Sequence, residues 1–322
     1  MQTVSIHHEP PAQEHAIESV PCNLCGSNDF EELYRLQDCR LFVDDIEWPV
    51  VRCRSCGLDY LNPRPTAKTI WRYYPAHYYE GRQERELTAR YQLQARQLDA
   101  LAPGALLDIG CANGDWIQLM AARGWQVAGL EPSPNSQNPH GLDIRKGLLP
   151  EGATWREGTF DVVTAWAVVE HLHDPRVAFE TAQRMLRPGG RFIALVPNGR
   201  SIASRLAYRE DVPRHLYMFS ESTLARYAEQ SGLQLHEVHH EPRLFGGLGR
   251  GVLRVQLFKA LGHKPREYFR SLALTWPQRF RQHPGITCLS VPLALAERLV
   301  LSEGLVRKLR LSGHVIAHMQ KP

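Results

Sequence analysis

Residues 105–116 constrain the fold of this chain more than any other segment. An apolar run ends at Asp108, small residues follow at Gly110, Ala112 and Gly114, and a second apolar segment begins directly afterwards. This order is typical of a β-strand, a tight glycine turn and the start of a helix, which together present backbone N–H groups to a ligand. The segment therefore predicts a ligand-binding turn at one edge of a sheet.

A second short apolar run, residues 126–131, ends in an acidic residue. Glu131 lies 17 positions after Gly114, and a carboxylate at the tip of a second strand can accept hydrogen bonds from both hydroxyls of a ribose. A dinucleotide fold would place a third glycine three residues after the second, whereas here the small residues are spaced as Gly110, Ala112 and Gly114. S-Adenosylmethionine (SAM) has no phosphate and carries a sulfonium and an ammonium, so Asp108 beside the turn suits SAM better than a dinucleotide.

Residues 104–200 resemble a class I SAM-dependent methyltransferase. The motifs that carry the resemblance, besides the glycine turn and Glu131, are residues 160–166, 170–175, 186–190 and 196–198. The chain departs from the family at Ala112, where a glycine is usual. The resemblance implies SAM as the cofactor. We expect seven residues to bind it: Asp108, Gly110, Cys111, Gly114, Glu131, Pro132 and Glu170.

Strand and helix patterns alternate through this region, which predicts an α/β fold with a mostly parallel sheet covered by helices on both faces. The predicted strands are 105–110, 126–131, 142–146, 160–167, 191–196, 233–240 and 314–320. The predicted helices are 114–123, 133–138, 175–187 and 221–231. The resemblance implies a Rossmann-like sheet of seven strands, with the last strand antiparallel between the fifth and the sixth.

Two pairs of cysteines precede this core. Cys22 and Cys25 form one pair and Cys53 and Cys56 the other, and a glycine follows each pair. A gap of two residues lets both thiolates of a pair reach one tetrahedral ion, and four thiolates make a closed structural zinc site. We therefore predict a zinc-ribbon-like module with a β-hairpin between the pairs. Unligated thiols and disulfides are the alternatives.

The chain divides into six predicted segments. They are a mobile tail (1–20), the zinc-ribbon-like module (21–65), an aromatic linker and helix (66–103), the methyltransferase core (104–240), a basic helical insertion (241–312) and the last core strand (313–322). The module, linker and tyrosine-rich residues 73–79 resemble the N-terminal module of many bacterial sugar and small-molecule methyltransferases. A tyrosine of the linker could face the sulfonium of SAM through its ring, or the linker could simply pack onto the sheet.

The charge of the chain is uneven. Residues 241–322 contain 14 Lys or Arg against 4 Asp or Glu, whereas the rest of the chain is slightly acidic. A basic surface attracts an anionic partner, so we expect an anionic acceptor or peripheral contact with a membrane. The insertion could instead cap the substrate pocket. Because basic and aromatic residues are not interleaved near the cysteines, nucleic acid is not expected as a partner.

No targeting or membrane-spanning segment is expected. The first residues lack a basic stretch followed by an apolar one, so we predict no signal peptide and a cytoplasmic protein. The longest uncharged apolar stretch, residues 284–296, contains two prolines and is shorter than the roughly 20 residues that a transmembrane helix needs.

Two histidines are the candidates for a general base. His171 follows the fourth predicted strand, on the edge that carries the glycine turn, and His215 lies in a later loop beside Arg214, which could bind an anion. Imidazole titrates near neutrality and can remove a proton from an acceptor during methyl transfer. The sequence thus predicts methyl transfer to a sugar, a lipid-linked intermediate or a secondary metabolite. The alternatives are a quinone-type O-methyltransferase and a non-enzymatic protein whose zinc module binds nucleic acid or a partner.

Overall fold

The N-terminal part of the chain forms short antiparallel strands and one long helix. The computed structural model describes residues 16–75, 84–201, 205–206, 210–244, 251–300 and 302–322. Its first elements are β1 (Ile17–Glu18), β2 (Phe30–Leu36), β3 (Trp48–Cys53), β4 (Asp59–Leu61), β5 (Arg64–Pro65) and α1 (Glu84–Ala95). Strands β2 and β3 form the predicted hairpin. Most of the predicted tail, the tyrosines at 78 and 79 and most of the glycine-rich turn at 246–251 lie outside the described residues.

A seven-stranded sheet forms the core. Its first strands and the helices between them are β6 (Ala105–Ile109), α2 (Asp115–Ala121), β7 (Gln126–Glu131), β8 (Asp143–Lys146), β9 (Phe160–Trp166), α3 (Arg176–Met185) and β10 (Leu186–Pro197). They are followed by β11 (Tyr217–Met218), α4 (Glu221–Gln230) and β12 (Gln234–His240). Strand β6 is buried along nearly its whole length, as expected for a parallel strand that is covered on both faces.

The strand order of this sheet is that of the predicted Rossmann-like fold. The order is β12, β13, β10, β9, β6, β7 and β8, where β13 (His314–Gln320) is the last strand. Strand β13 is antiparallel to both of its neighbours, β10 and β12. The predicted position of the last strand, between the fifth and the sixth, is confirmed.

One predicted helix was wrong. Residues 133–138 form turns, not a helix. The backbone N–H of Ser133 donates to the Glu131 carboxylate at 2.9 Å, and the Ser133 hydroxyl accepts from the N–H of Asn135. Such local side-chain hydrogen bonds compete with helix formation, and prolines at 134 and 139 bound the segment.

The cysteine module and the core share a sheet. Strand β11, which follows the core strand β10 in the chain, pairs with β4 of the module, with Tyr217 opposite Tyr60. Side chains add to this contact, since Asn23 donates to Asp174 at 2.9 Å and accepts from the hydroxyl of Tyr227 at 2.9 Å. Residues 21–65 are therefore part of the core's own structure and not a separate appendage.

Part of the predicted mobile tail is folded. Ile17 pairs with Pro65 and Glu18 with Arg64. The Glu18 carboxylate also accepts a hydrogen bond from the guanidinium of Arg64 at 2.8 Å. Residues 16–20 therefore belong to the module, which corrects the predicted boundary at residue 20.

A fully buried ion pair joins the module to the loop before β11. Arg214 is 0% exposed, and its guanidinium donates to Asp38 of the module and to Asp211 of its own loop, with distances of 2.8 and 2.5 Å. Burial alone would raise the pKa of Asp38, but the hydrogen bonds and charge of Arg214 hold it below its ordinary value. The same guanidinium also donates to the backbone oxygen of Tyr73.

The insertion is helical, as predicted, but it is divided into more helices. They are α5 (Val252–Ala260), α6 (Pro265–Ser271), α7 (Trp276–Gln282), α8 (Pro284–Val300) and α9 (Glu303–Lys308). Arg266 on α6 is 4% exposed and contacts Asp45 and the backbone of Asp44, so α6 is held against the module. None of the helices in the described ranges combines the length and the apolar character needed to cross a membrane.

Candidate functional site

A cavity of about 960 Å³ lies at the carboxyl ends of β6, β7 and β9. Its wall is built from four parts of the chain: the core, module residues 39–42, the linker with α1, and the insertion. Parallel α/β sheets bind ligands at this edge. Five of the seven predicted cofactor residues line it together: Asp108, Gly110, Cys111, Glu131 and Pro132.

The turn after β6 is held tightly. Gly110 has φ +75°, and a Cβ added there would lie 2.5 Å from a methyl carbon of Val168, so the position requires glycine. Ala112 has φ +52°, a left-handed conformation that costs a residue with a side chain roughly 1–2 kcal/mol. Its backbone N–H donates to Glu131 at 2.9 Å, and this hydrogen bond offsets part of the strain.

Glu131 has room for a further ligand. Its two carboxylate oxygens accept the N–H groups of Ala112 and Ser133, each at 2.9 Å. A carboxylate has about four acceptor positions, so each oxygen can accept one more hydrogen bond. The residue is 8% exposed and lines the cavity. This geometry suits a pair of ribose hydroxyls.

Asp108 places a buried carboxyl group beside the turn. It is 4% exposed and accepts a hydrogen bond from the hydroxyl of Thr164 at 2.6 Å. Burial raises the pKa of Asp108 to about 8, the Thr164 hydroxyl lowers it, and the Glu131 carboxylate adds to the increase. A cationic ligand would stabilise the ionised form. The ammonium and sulfonium of SAM therefore fit the charge of this site.

The other two predicted cofactor residues, Gly114 and Glu170, do not line the cavity. Gly114 precedes α2 with φ +86°, and a Cβ there would lie 2.8 Å from a carbon of Ile144, so its role is in packing. Glu170 is 0% exposed, and neither of its carboxylate oxygens forms a hydrogen bond within the described ranges. Burial raises the pKa of Glu170 to about 8, and one of its carboxylate oxygens lies 3.8 Å from Nε2 of His215.

His171 lines the cavity with one ring nitrogen fixed. Its Nδ1 lies 2.9 Å from the backbone oxygen of Arg214 and 3.0 Å from the hydroxyl of Tyr74. Because a carbonyl oxygen can only accept, Nδ1 carries the hydrogen and Nε2 keeps its lone pair. Burial lowers the pKa of His171 to about 4. At neutral pH the ring is therefore an uncharged base.

His215 lies against His171, with ring centroids 4.9 Å apart. It is 7% exposed and also lines the cavity. Burial lowers its pKa well below the ordinary value, and the nearby His171 adds to the effect. Its Nδ1 forms no hydrogen bond with a described residue. The structure thus brings both predicted bases into one site.

Arg214 does not meet the expectation that it binds an anionic substrate. Its guanidinium is wholly buried and donates hydrogen bonds to Asp38, Asp211 and the backbone oxygen of Tyr73. The side chain is structural, and the backbone oxygen of the same residue orients His171.

Several residues of the site were not predicted. His314 begins β13 opposite Pro197, and it lines the cavity because an antiparallel strand starts where its parallel neighbours end. That position follows from the predicted topology and could have been found. Trp116 and Trp166 pack edge to face at 5.3 Å, and neither indole N–H finds an acceptor among the residues described. Phe42 and Phe269 reach the cavity from the module and the insertion, and no local sequence signal indicates this.

The four paired cysteines converge in the module. Their sulfur atoms all lie within 4.8 Å of one another, with Cys22 to Cys56 at 3.4 Å and Cys25 to Cys53 at 3.5 Å. Each pair closes a turn in which the N–H of the following glycine donates to the first cysteine, and the glycines have φ of +75° and +76°. These sulfur separations exceed a covalent S–S bond of about 2.05 Å, so the cysteines are not disulfide-bonded. The donor set fits a tetrahedral thiolate-bound ion.

Comparison with known proteins identifies the family. A family model described as a methyltransferase domain matches residues 79–238. The chain is 30% identical over 157 residues to a ubiquinone biosynthesis O-methyltransferase from Aromatoleum aromaticum, covering 43% of this chain and 67% of that protein. It is 32% identical over 166 residues to the protein of the same description from Nitrobacter winogradskyi, covering 46% and 63%. The chain belongs to the class I SAM-dependent methyltransferases.

The matches are partial. The chain spans about two thirds of the length of these curated relatives. A solved SAM-dependent methyltransferase from Thermotoga maritima, described as a possible histamine N-methyltransferase, is 17% identical, with a TM-score of 0.45 over 78% of this chain and 100% of that chain. SAM is the cofactor of this methyltransferase family.

We predict that Asp108→Asn weakens cofactor binding. The amide keeps the shape and can still accept from Thr164, but it removes the negative charge that would face the ammonium of the cofactor. The affinity for S-adenosylhomocysteine, measured by titration calorimetry, should fall by about 1–3 kcal/mol. Asp99→Asn is the matched control, since Asp99 is exposed and does not line the cavity. An unchanged affinity in Asp108→Asn would remove Asp108 from the cofactor site.

Proposed function

We propose that this methyltransferase acts on a small molecule whose hydroxyl group or enolisable carbon must lose a proton as it is methylated. The observation that carries the proposal is the fixed tautomer of His171, whose Nδ1–H donates a hydrogen bond to the backbone oxygen of Arg214. This leaves Nε2 as the basic atom of a residue on the cavity wall. His215 and His314 beside it make the site rich in neutral imidazoles.

SAM supplies a methyl group on a positively charged sulfur and leaves as a neutral thioether. The acceptor oxygen or carbon forms the new bond to the methyl carbon as the bond from sulfur to that carbon breaks, and the acceptor's proton passes to Nε2 of His171. Aligning the two reactants is the main task of such a site. Asp108 and Glu131 would hold the cofactor.

The cavity wall supports an acceptor with a substantial apolar part. Trp71, Leu149 and Val177 line it from the linker and the core, and Phe269 lines it from the insertion. An aromatic hydroxyl with an apolar substituent, as in quinone-type methylation, and a lipid-linked intermediate match this lining better than an unmodified sugar does. Two relatives are described as ubiquinone biosynthesis O-methyltransferases, which agrees with the first possibility.

The non-enzymatic alternative is not retained, because the chain is a methyltransferase.

If His171 is the base, His171→Gln should lower turnover by roughly a hundredfold or more, since a general base usually contributes on that scale. The affinity for the cofactor should stay unchanged. His215→Gln should mainly raise KM for the acceptor. His236→Gln is the control, since this exposed residue of β12 is remote from the cavity lining. Turnover is measured as S-adenosylhomocysteine release with a panel of phenols, quinols, sugars and glycolipids. Loss of turnover in His215→Gln alone would move the role to His215, and undiminished turnover in both variants would refute a histidine base.

The pH profile gives an independent readout of the same proposal. Because burial lowers the pKa of His171 to about 4, the base is protonated only when the pH falls through that value. The acidic limb of kcat/KM should therefore lie near pH 4, below the ordinary histidine value of about 6.5, and it should vanish in His171→Gln. A limb near pH 6.5 that depends on His171 would contradict the neutral, buried base.

We also propose that Cys22, Cys25, Cys53 and Cys56 hold a structural zinc ion. Four thiolates leave no open position for a reactant. Elemental analysis should find one zinc per chain, and the double variant Cys22→Ser/Cys53→Ser should lose it and become less stable, because structural zinc contributes folding free energy. Cys288→Ser, at an exposed cysteine of α8, should keep its zinc. Metal-free protein after preparation without chelators would refute the site.

A further inference from the structure

The insertion exposes apolar side chains on three consecutive helices. Seven of them recur at four-residue intervals, which places each group on one face of its own helix; Leu289 on α8, 46% exposed, lies outside this set. The seven are Trp276 and Phe280 on α7, Val291, Leu295 and Leu299 on α8, Leu305 on α9 and Leu309 directly after α9. Exposure reaches 60% for Trp276 and 81% for Leu299, and the rings of Trp276 and Phe280 stack on each other in solvent. We refer to these seven residues as the apolar face.

Helix α8 is inverted relative to an ordinary surface helix. Its residue Glu297 is 1% exposed, accepts the backbone N–H of Gly251 at 2.9 Å and forms an ion pair with Arg254 at 2.9 Å. Leu295 and Leu299 lie two residues to either side of Glu297, on the opposite face, and are 55% and 81% exposed. A helix in water normally turns its apolar side inward. This helix instead buries the ion pair of Glu297 with Arg254 and exposes Leu295 and Leu299. Its exposed surface therefore suits an apolar environment.

The helices that carry the apolar face also expose positive charge. Arg281, Arg298 and Lys308 are all exposed and lie on these three helices. Among the described residues of α7, α8 and α9, Glu303 is the only exposed acidic residue. The whole segment 241–322 has 14 basic residues against 4 acidic ones. A partner of this surface is therefore both apolar and anionic.

We propose that the apolar face docks on a membrane leaflet that contains anionic lipids. Leucine, valine and tryptophan side chains can enter the acyl boundary while neighbouring Arg and Lys side chains contact the headgroups. A second copy of the chain fits less well, since a two-fold contact would bring the same cationic surface against itself. Nucleic acid fits less well too, because its phosphates would gain nothing from exposed leucines.

The same insertion also reaches the cavity wall. Phe269 on α6 lines the cavity wall, and buried Arg266 ties α6 to the module loop at Asp45. The insertion therefore borders the cavity through α6 and carries the apolar face on α7, α8 and α9. A membrane-dissolved acceptor would reach the cavity from a protein already held at the leaflet. This last step rests on the proposed apolar acceptor, whereas the docking itself does not.

The test is co-sedimentation of the whole protein with vesicles of phosphatidylcholine alone or mixed with phosphatidylglycerol. Binding should rise with the phosphatidylglycerol content and fall with added salt. Leu295→Asn/Leu299→Asn should weaken it by roughly tenfold or more, since two apolar side chains lose their lipid contact. Ile17→Asn, at a 53% exposed residue of the module, is the matched control and should bind as the parent does. Unchanged thermal unfolding of both variants shows that they are folded.

Three results would overturn the proposal. They are equal sedimentation with neutral and mixed vesicles, full binding by the folded Leu295→Asn/Leu299→Asn variant, and a dimer in analytical ultracentrifugation that this variant abolishes. The last result would assign the apolar face to a second copy of the chain. Methyl transfer to a water-soluble acceptor without vesicles should be the same in the parent and in this variant, so failure of docking is distinguishable from failure of the proposed activity.

Discussion

The buried guanidinium of Arg214 is the interaction on which the rest of the site depends. It satisfies Asp38 of the module and Asp211 of its own loop, and it also donates to the backbone of Tyr73. Removing one partner of such a pair leaves an uncompensated buried charge and typically costs about 3–5 kcal/mol. The backbone oxygen of Arg214 fixes the tautomer of His171. One residue thus connects the fold of the module to the tautomer of the proposed base.

This connection changes the role expected of the cysteine module. A zinc ribbon attached by a linker could be removed without harm to catalysis, but here β11 of the core pairs with β4 of the module. The module loop that carries Asp38 also supplies Arg40 and Phe42 to the cavity wall. In the proposed site, β6, β7 and their turns form the cofactor side, and the module, the loop at 210–217 and the insertion form the acceptor side. We therefore regard the four cysteines as a stabiliser of the acceptor side.

The sequence was informative where function depends on strand ends. Asp108, Glu131 and His171 follow or end neighbouring strands of one parallel sheet, so local patterns alone predict that they meet. The pairing of Arg214 with Asp38 joins residues 176 positions apart and has no local pattern, which is why Arg214 was assigned to an anionic substrate. Glu170 follows a strand as His171 does, yet its side chain turns into the core, because the short turn at 169–171 sends successive side chains in different directions. The helix predicted at 133–138 does not form, because hydrogen bonds at Glu131 and Ser133 outweigh a weak helical pattern.

Hydrogen exchange of Arg214→Lys tests the central claim most directly. Lysine keeps the positive charge but cannot make the several directed hydrogen bonds of the guanidinium. If Arg214 links the module to the acceptor side, amide exchange should rise together in residues 38–45, 169–173 and 211–217, with residues 105–131 of the cofactor side unchanged. An increase confined to residues 211–217, or no increase at all, would contradict the account.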